Sequence, residues 1–174
     1  MFFTRRRVVL IGVVAALAAG IILTPLILTL TLPPDIDAVE INLDKVEIVN
    51  PSPEEETSNL LTLNVFFKIV NPTDKTLTTS KIDYTLLADG RSLGNGHLDY
   101  VDIPVHGRPQ LLSGSEATIV SKFEIPRNDP NLAQINIGNI STSDINWEAE
   151  GTVDIESGFV TTPLAFRDEL QRSQ

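Results

Sequence analysis

An uncharged apolar run near the N-terminus is the feature that most constrains how this chain can fold. It extends from Val8 to Leu32, 25 residues without a charged side chain. As an α-helix it would be about 37 Å long, which is enough to cross a hydrocarbon core of about 30 Å with some tilt. A core helix of a small domain is shorter and less uniformly apolar. Residues 8–32 are therefore predicted to form a transmembrane helix.

The charges on either side of this run predict its orientation. Residues 1–7 form a basic N-terminus that contains Arg5, Arg6 and Arg7, and such clusters are retained on the cytoplasmic side of a membrane. We therefore expect a single-pass protein of the cell membrane, with its C-terminal domain outside the cytoplasm. A cleaved signal peptide is the alternative, because small residues occupy five of the six positions 15–20. Cleavage there would leave residues 21–32 as an exposed apolar N-terminal segment, which disfavours the signal-peptide interpretation.

Beyond Pro34, apolar and polar side chains alternate, as in strands with one buried face. The clearest apolar faces are Leu61, Leu63, Val65, Phe67 and Ile69, and Ile145, Trp147, Ala149, Val153 and Ile155. Weaker alternation covers residues 38–49, 80–88, 116–125 and 159–166. Trp147 is thus predicted to lie in the core, whereas Glu148 and Phe66 fall on polar faces. The apolar phase slips between Leu43 and Val46, which predicts a β-bulge or a change of sheet.

Turn residues support an all-β domain. Asp89-Gly90 is predicted to form a tight type I′ hairpin, and Gly94-Asn95-Gly96 a bulge in the returning strand. Residues 129–140 are expected to hold a short helical turn. About seven strands over residues 38–166 indicate an antiparallel β-sandwich of immunoglobulin or fibronectin type III shape, with a small closed barrel as the alternative. A linker, residues 33–37, precedes this domain, and a C-terminal tail, residues 167–174, follows it.

Charge and cysteine content exclude several classes of function. All 23 acidic residues lie at or beyond Asp35, and only 10 basic residues accompany them, so residues 33–174 carry a net charge of −13. Such a surface repels phosphate backbones and anionic headgroups, and nucleic acid is not expected as a partner. The chain has no Cys. Disulfides, thiolate nucleophiles and Cys-ligated metals are therefore excluded.

Residues 65–96 resemble the core signature of the late embryogenesis abundant type 2 (LEA2) family, whose domain is called WHy, for water stress and hypersensitive response. The matching features are an apolar strand that closes in Asn-Pro, a second strand with a Tyr hairpin, a small-residue turn and a Gly-rich return. In this chain they are Asn71, Pro72, Tyr84, Asp89, Gly90, Gly94 and Gly96. The resemblance covers roughly residues 38–166. A single transmembrane helix before the domain is similar to the arrangement in membrane-bound plant members.

This resemblance implies a β-sandwich and an association with desiccation, cold or pathogen stress. It implies protection of proteins or membranes and no catalytic residue. We therefore expect a non-enzymatic stress-protection protein without a cofactor, which contacts the membrane through residues 8–32 and acts on client proteins. Two alternatives stay open: an accessory or structural subunit of a membrane complex, and a module that binds lipid or another apolar ligand inside the sandwich.

Other chemistry has weak sequence support. His97 and His106 are flanked by turn residues and are interpreted as solvated loop histidines. No Ser lies in a G-x-S-x-G elbow. Glu54, Glu55, Glu56, Asp99, Asp102 and Asp129 could bind Ca²⁺ weakly, but no EF-hand loop is present, and solvated turns are the preferred interpretation. Asn139 begins the one formal N-glycosylation sequence.

Overall fold

The computed structural model describes residues 12–14, 17–21, 23, 36–49, 59–104, 107–135, 144–158 and 160–170. The chain divides into two units, Met1–Pro33 and Pro34–Gln174. The described residues of the first unit are helical and exposed. Across the described ranges, no helix is both long and apolar enough to cross a membrane. Most of the predicted transmembrane helix, residues 8–32, lies outside those ranges, as do residues 1–7.

The second unit is built from two antiparallel sheets, which confirms the all-β prediction. Its strands are β1 (Glu40–Ile48), β2 (Leu60–Asn71), β3 (Leu77–Ala88), β4 (Arg91–Asp99), β5 (Gln110–Leu111), β6 (Ser115–Pro126), β7 (Trp147–Ser157) and β8 (Val160–Glu169). One sheet has the order β1-β2-β6, and the other has the order β4-β3-β7-β8 with β5 also paired to β3. The described part thus holds eight strands instead of about seven. The extra strand is β5, whose two residues are too few to show alternation.

Two short helices lie among the described residues of this unit. A 3-10 turn, Ile36–Ala38, precedes β1, and the helix α1, Pro130–Ile135, follows β6. The helix begins after Asp129, whose Oδ1 accepts a hydrogen bond of 2.8 Å from the Asn131 backbone N–H. This N-cap satisfies a donor that the first helical turn leaves free. The short helical turn predicted within residues 129–140 is confirmed, and residues 136–143, with the Asn139 sequence, lie outside the described ranges.

The pairing register assigns the described loops to two ends of the sandwich. Glu40 of β1 pairs with Val70, and Leu77 and Thr78 at the start of β3 pair with Leu111 and Glu156. One end, which we call the basal end, therefore holds the 3-10 turn, residues 72–76, 100–104, 107–109 and 112–114, and Gly158. The Asp89-Gly90 hairpin and α1 lie at the opposite end.

Side chains from both sheets fill the space between them. Trp147 is fully buried, as predicted, and so are Phe67 and Leu63. The ring of Phe67 packs edge-on against Tyr84 at a centroid distance of 4.8 Å and against Phe166 at 5.6 Å. Edge-to-face pairs of this kind add stabilisation to that of apolar burial.

The predicted β-bulge in β1 is confirmed by a register shift between Leu43 and Lys45. Beside the bulge, the backbone N–H of Leu43 donates a hydrogen bond of 2.7 Å to Oδ2 of Asp168 in β8. This hydrogen bond links the edge strands of the two sheets, because β1 and β8 each lie at the edge of their own sheet. Asp168 lies in the segment that the sequence assigned to a tail.

One residue differs from the alternation that the sequence predicted. Glu148 is buried, at 7% exposure, although it was placed on the polar face. Its neighbours explain this, because Arg167 of β8 lies against it as an ion pair. Phe66 lies on the outer face, as the sequence predicted, and is half-buried there, with the Lys45 ammonium 5.8 Å from its ring centroid. A cation-π contact thus covers part of this aromatic.

Candidate functional site

Asn71 joins three segments of the chain at the basal end. Its side chain is fully buried, and its amide nitrogen donates hydrogen bonds to the backbone carbonyls of Lys75 at 2.8 Å, Leu111 at 2.9 Å and Leu112 at 3.1 Å. Its Oδ1 accepts hydrogen bonds from the backbone N–H and the hydroxyl of Thr73. Asn71 therefore holds the end of β2 to the following turn and to β5. Pro72, the next residue of the family signature, is exposed.

The hairpin residues of the signature adopt the backbone geometry that their sequence predicts. Asp89 has φ 49° and Gly90 has φ 74°, as a type I′ turn requires at both central positions. The β3–β4 register shifts after Leu86, which pairs with Gly94, and Gly94 has φ 129°. The predicted bulge is thus present. Asp89 also fixes the start of β7, since its carboxylate accepts a hydrogen bond from the Asn146 backbone N–H.

Tyr84 lies in the core with glycine beside it on both neighbouring strands. It pairs with Gly96 of β4 and Gly151 of β7. A Cβ at Gly96 would lie only 2.5 Å from the Tyr84 hydroxyl, and a Cβ at Gly151 would overlap the Asp83 carbonyl oxygen. The Tyr84 hydroxyl lies 3.0 Å from Oγ of Ser121 on the facing sheet. Burial raises the pKa of Tyr84, and the hydrogen bond to Ser121 opposes that shift.

A shallow groove of about 700 Å³ lies along β4, β3 and β7 at this level. Its lining residues are Asp83, Tyr84, Thr85, Asn95, Gly96, His97, Glu150, Gly151 and Thr152. Carboxylate and amide oxygens, hydroxyls and an imidazole thus meet on one surface. The groove is open to solvent, and its chemistry suits a ligand that exchanges hydrogen bonds.

Asp83 is the centre of charge in this groove. Its Oδ2 lies 2.6 Å from Nζ of Lys81, and its Oδ1 lies 2.5 Å from Nδ1 of His97. The hydrogen bond from Lys81, followed by that from His97, holds the pKa of Asp83 below its ordinary value. The same contact with Asp83 raises the pKa of Lys81. Beside this cluster, the Thr85 hydroxyl donates a hydrogen bond of 3.0 Å to Oδ1 of Asn95.

The interpretation of His97 as a loop residue is wrong. It lies on β4, exposed, directly opposite Asp83 in the strand register. The sequence held the signal for this pair, because a two-residue turn at Asp89-Gly90 followed by one bulged residue brings positions 83 and 97 together. His106 lies outside the described residues.

The carboxylates that the sequence grouped as a weak Ca²⁺ candidate are not brought together where the structure describes them. Asp99 accepts a hydrogen bond from the Val101 backbone N–H in a basal loop, and Asp129 caps α1 at the opposite end. In the described ranges, no group of three or more His, Asp or Glu residues could hold a metal ion. Residues 54–56 lie outside those ranges.

The fold and the groove define an all-β protein with a polar outer surface, and comparison with known proteins adds no family assignment. No family model matches the chain, and no curated protein matches it.

Solved structures give distant likenesses. A protein from Archaeoglobus fulgidus is 15% identical, with 73% of this chain and 93% of that chain covered and a TM-score of 0.44. A solution structure from Arabidopsis thaliana is 17% identical, with 81% and 83% covered and a TM-score of 0.48. Another, provisionally described as a late embryogenesis abundant protein, is 17% identical, with 95% and 84% covered and a TM-score of 0.36. At TM-scores this low, functional inference rests on the residues of this chain.

The role of Asn71 predicts a large loss of stability on substitution. Asn71→Ala leaves the carbonyls of Lys75, Leu111 and Leu112 without their buried donor. We expect it to lower the free energy of unfolding by about 2–4 kcal/mol in chemical denaturation of the full chain. The matched control is Asn64→Ala, on the outer face of the same strand, which should change it by about 0.5 kcal/mol or less. Equal effects of the two substitutions would show that Asn71 does not hold the basal end together.

The contacts of Asp83 predict a pH response. A carboxyl group with a depressed pKa stabilises the fold above its ordinary pKa, and that contribution is lost as the pH falls through the depressed value. The contribution of Asp83 to the free energy of unfolding is small, because its side chain is half-exposed. In an NMR titration of the carboxyl carbon, Lys81→Met should move the pKa of Asp83 up toward its ordinary value, and His97→Gln should move it up less. A larger pKa shift with His97→Gln than with Lys81→Met would show that His97, and not Lys81, makes the larger contribution to the low pKa of Asp83.

Proposed function

We propose that this chain is a membrane-anchored, non-enzymatic protein of the LEA2, or WHy, kind, which protects proteins or the membrane at the cell envelope when water is lost. The resemblance of residues 65–96 to that family supports the proposal. The signature residues Asn71, Tyr84 and Gly96 support the scaffold. The protective activity is therefore assigned to the outer surface.

The acidity of that surface is the observation that carries the proposal. Six acidic residues are exposed and form neither an ion pair nor a side-chain hydrogen bond within the described part of the chain: Asp37, Glu40, Asp44, Asp74, Asp102 and Glu169. They belong to a domain with a net charge of −13. Such a surface repels other copies of itself and keeps its hydration water, which opposes the aggregation that drying or freezing causes.

The strand order supports an immunoglobulin-like fold as part of this proposal. In immunoglobulin lettering, β1-β2-β6 corresponds to A-B-E, and β3-β7-β8 corresponds to C-F-G. β4 then takes the position of C′ beside C. We infer an immunoglobulin-like sandwich, because the strands pair in two separate sheets, which favours a sandwich over one closed barrel.

Location is the second part of the proposal. The apolar run of residues 8–32 would tether the sandwich to the cell membrane, with the basic residues 5–7 in the cytoplasm and the acidic domain outside. Tethering would keep the acidic surface next to the bilayer, where drying and freezing do damage.

The proposal predicts charge-dependent protection. The full chain, reconstituted in vesicles, should preserve the activity of a freeze-labile enzyme better than empty vesicles do. Neutralising the six exposed acids with Asp→Asn and Glu→Gln changes the net charge of residues 33–174 from −13 to −7. It should remove about half of the benefit, because hydration and self-repulsion follow the net charge. Residual enzyme activity after repeated freezing is the measurement.

The matched control exchanges Asp and Glu at the same six positions, which keeps the charge and should keep the protection. If the neutralised chain protects as well as the original one, charge is not the mechanism. If the original chain does no better than empty vesicles, the protective function is wrong, and an accessory subunit of a membrane complex becomes the better interpretation.

A further inference from the structure

Exposed apolar side chains are concentrated at the basal end of the sandwich. Within the described part of Pro34–Gln174, six large apolar residues are exposed, and four of them lie in basal loops or at a basal strand end: Val101, Ile103, Leu112 and Val160, at 55%, 38%, 57% and 53% exposure. The other two are Leu60, at the opposite end, and Val120, on an outer face. Exposed aliphatic residues gathered from three separate segments at one end indicate a contact surface.

The loop that carries two of these residues is held in place. Arg108 donates hydrogen bonds to the backbone carbonyls of Ile103 at 2.7 Å and Val101 at 2.8 Å. Its guanidinium also forms an ion pair with both carboxylate oxygens of Glu156 on β7, at 2.6 and 2.7 Å. The Arg108 side chain is only 10% exposed. This bidentate pair fixes the loop with its apolar side chains exposed, which lowers the entropic cost of contact.

The path of the chain identifies what this surface faces. The 3-10 turn that begins the described domain lies at the basal end, and Ile36 is four residues beyond Leu32, where the apolar run ends. Four residues of extended chain reach at most about 14 Å. If residues 8–32 cross a bilayer, the basal end is therefore held beside the membrane surface.

The charges at the basal end select the lipid. Asp37, Asp74 and Asp102 are exposed at the same end of the sandwich as the apolar side chains. Anionic headgroups would repel these carboxylates, whereas zwitterionic headgroups would not. Aliphatic side chains with an acidic rim thus suit the interface of a zwitterionic bilayer.

We propose that Val101, Ile103, Leu112 and Val160 form a second membrane contact, which inserts into the headgroup region of a zwitterionic bilayer and seats the sandwich on the membrane. This inference rests on the proposed anchoring by residues 8–32. It assigns the basal end to lipid and leaves the groove around Asp83 open to solvent.

Site-specific labelling of the full chain tests this contact. The chain has no Cys, so each variant carries a single labelling site. The variants Leu112→Cys and Val160→Cys report on the basal end, Leu60→Cys on the opposite end and Leu17→Cys on the apolar run. Each is labelled with an environment-sensitive fluorophore and reconstituted in phosphatidylcholine vesicles. Quenching by nitroxide-labelled lipid and by aqueous iodide is then measured.

Labels at Leu112 and Val160 should be quenched by lipid nitroxide and protected from iodide, with emission shifted to shorter wavelength. The label at Leu60 should show the opposite pattern. Addition of phosphatidylglycerol should weaken lipid quenching at the two basal sites. Iodide quenching at Leu112 and Val160 as strong as at Leu60 would overturn the basal contact, and so would protection from both quenchers, which would indicate contact with a second protein.

The label at Leu17 separates the two proposals. If it is quenched by lipid nitroxide while the basal labels are not, the anchor holds and the basal contact is wrong. If it is not quenched by lipid, the anchor itself fails, whatever the basal labels show.

Discussion

The position of Tyr84 is the constraint on which the rest of the sandwich depends. Its ring packs against Phe67 at 4.8 Å and lies 6.3 Å from the ring of Phe123, and its hydroxyl reaches Ser121 on the facing sheet. A side chain this large fits between the sheets only because Gly96, next to it, has no Cβ. Glycine weakens the interior of a strand, and its presence there often marks a close approach of another group. Here the aromatic contacts of Tyr84 between the sheets offset that cost.

Much of the fold could be predicted because its signals are local. The alternation around Trp147, the turn at Asp89-Gly90 and the phase slip after Leu43 each depend on a few consecutive residues. The burial of Glu148 could not be predicted in this way, since it comes from Arg167 on the next strand. The hydrogen bonds of Asn71 to residues about 40 positions away could not be predicted from the sequence either. Its place before Pro72 marked it only as a turn residue.

The same difference between local and non-local signals applies to the candidate site. The signature residues were recognised as a series, and the structure shows contacts that support the scaffold for Asn71, Tyr84, Asp89 and Gly96. Of the series, only Tyr84 and Gly96 line the groove. The Asp83–His97 pair was missed, because it requires both the turn and the bulge to be counted together. The basal apolar surface was missed for a similar reason: its members come from separate loops, and only the strand topology brings them to one end.

A double-mutant cycle between Tyr84 and Gly96 tests the central claim most directly, that the Tyr84 ring fits between the two sheets only because glycine lies beside it at position 96. Gly96→Ala should cost several kcal/mol in the original chain and much less in a Tyr84→Leu background, with a coupling free energy of about 2 kcal/mol or more by chemical denaturation. Gly151→Ala should be costly in both backgrounds, because its added Cβ meets the Asp83 backbone. Effects of Gly96→Ala and Tyr84→Leu that add to within about 0.5 kcal/mol would contradict the account.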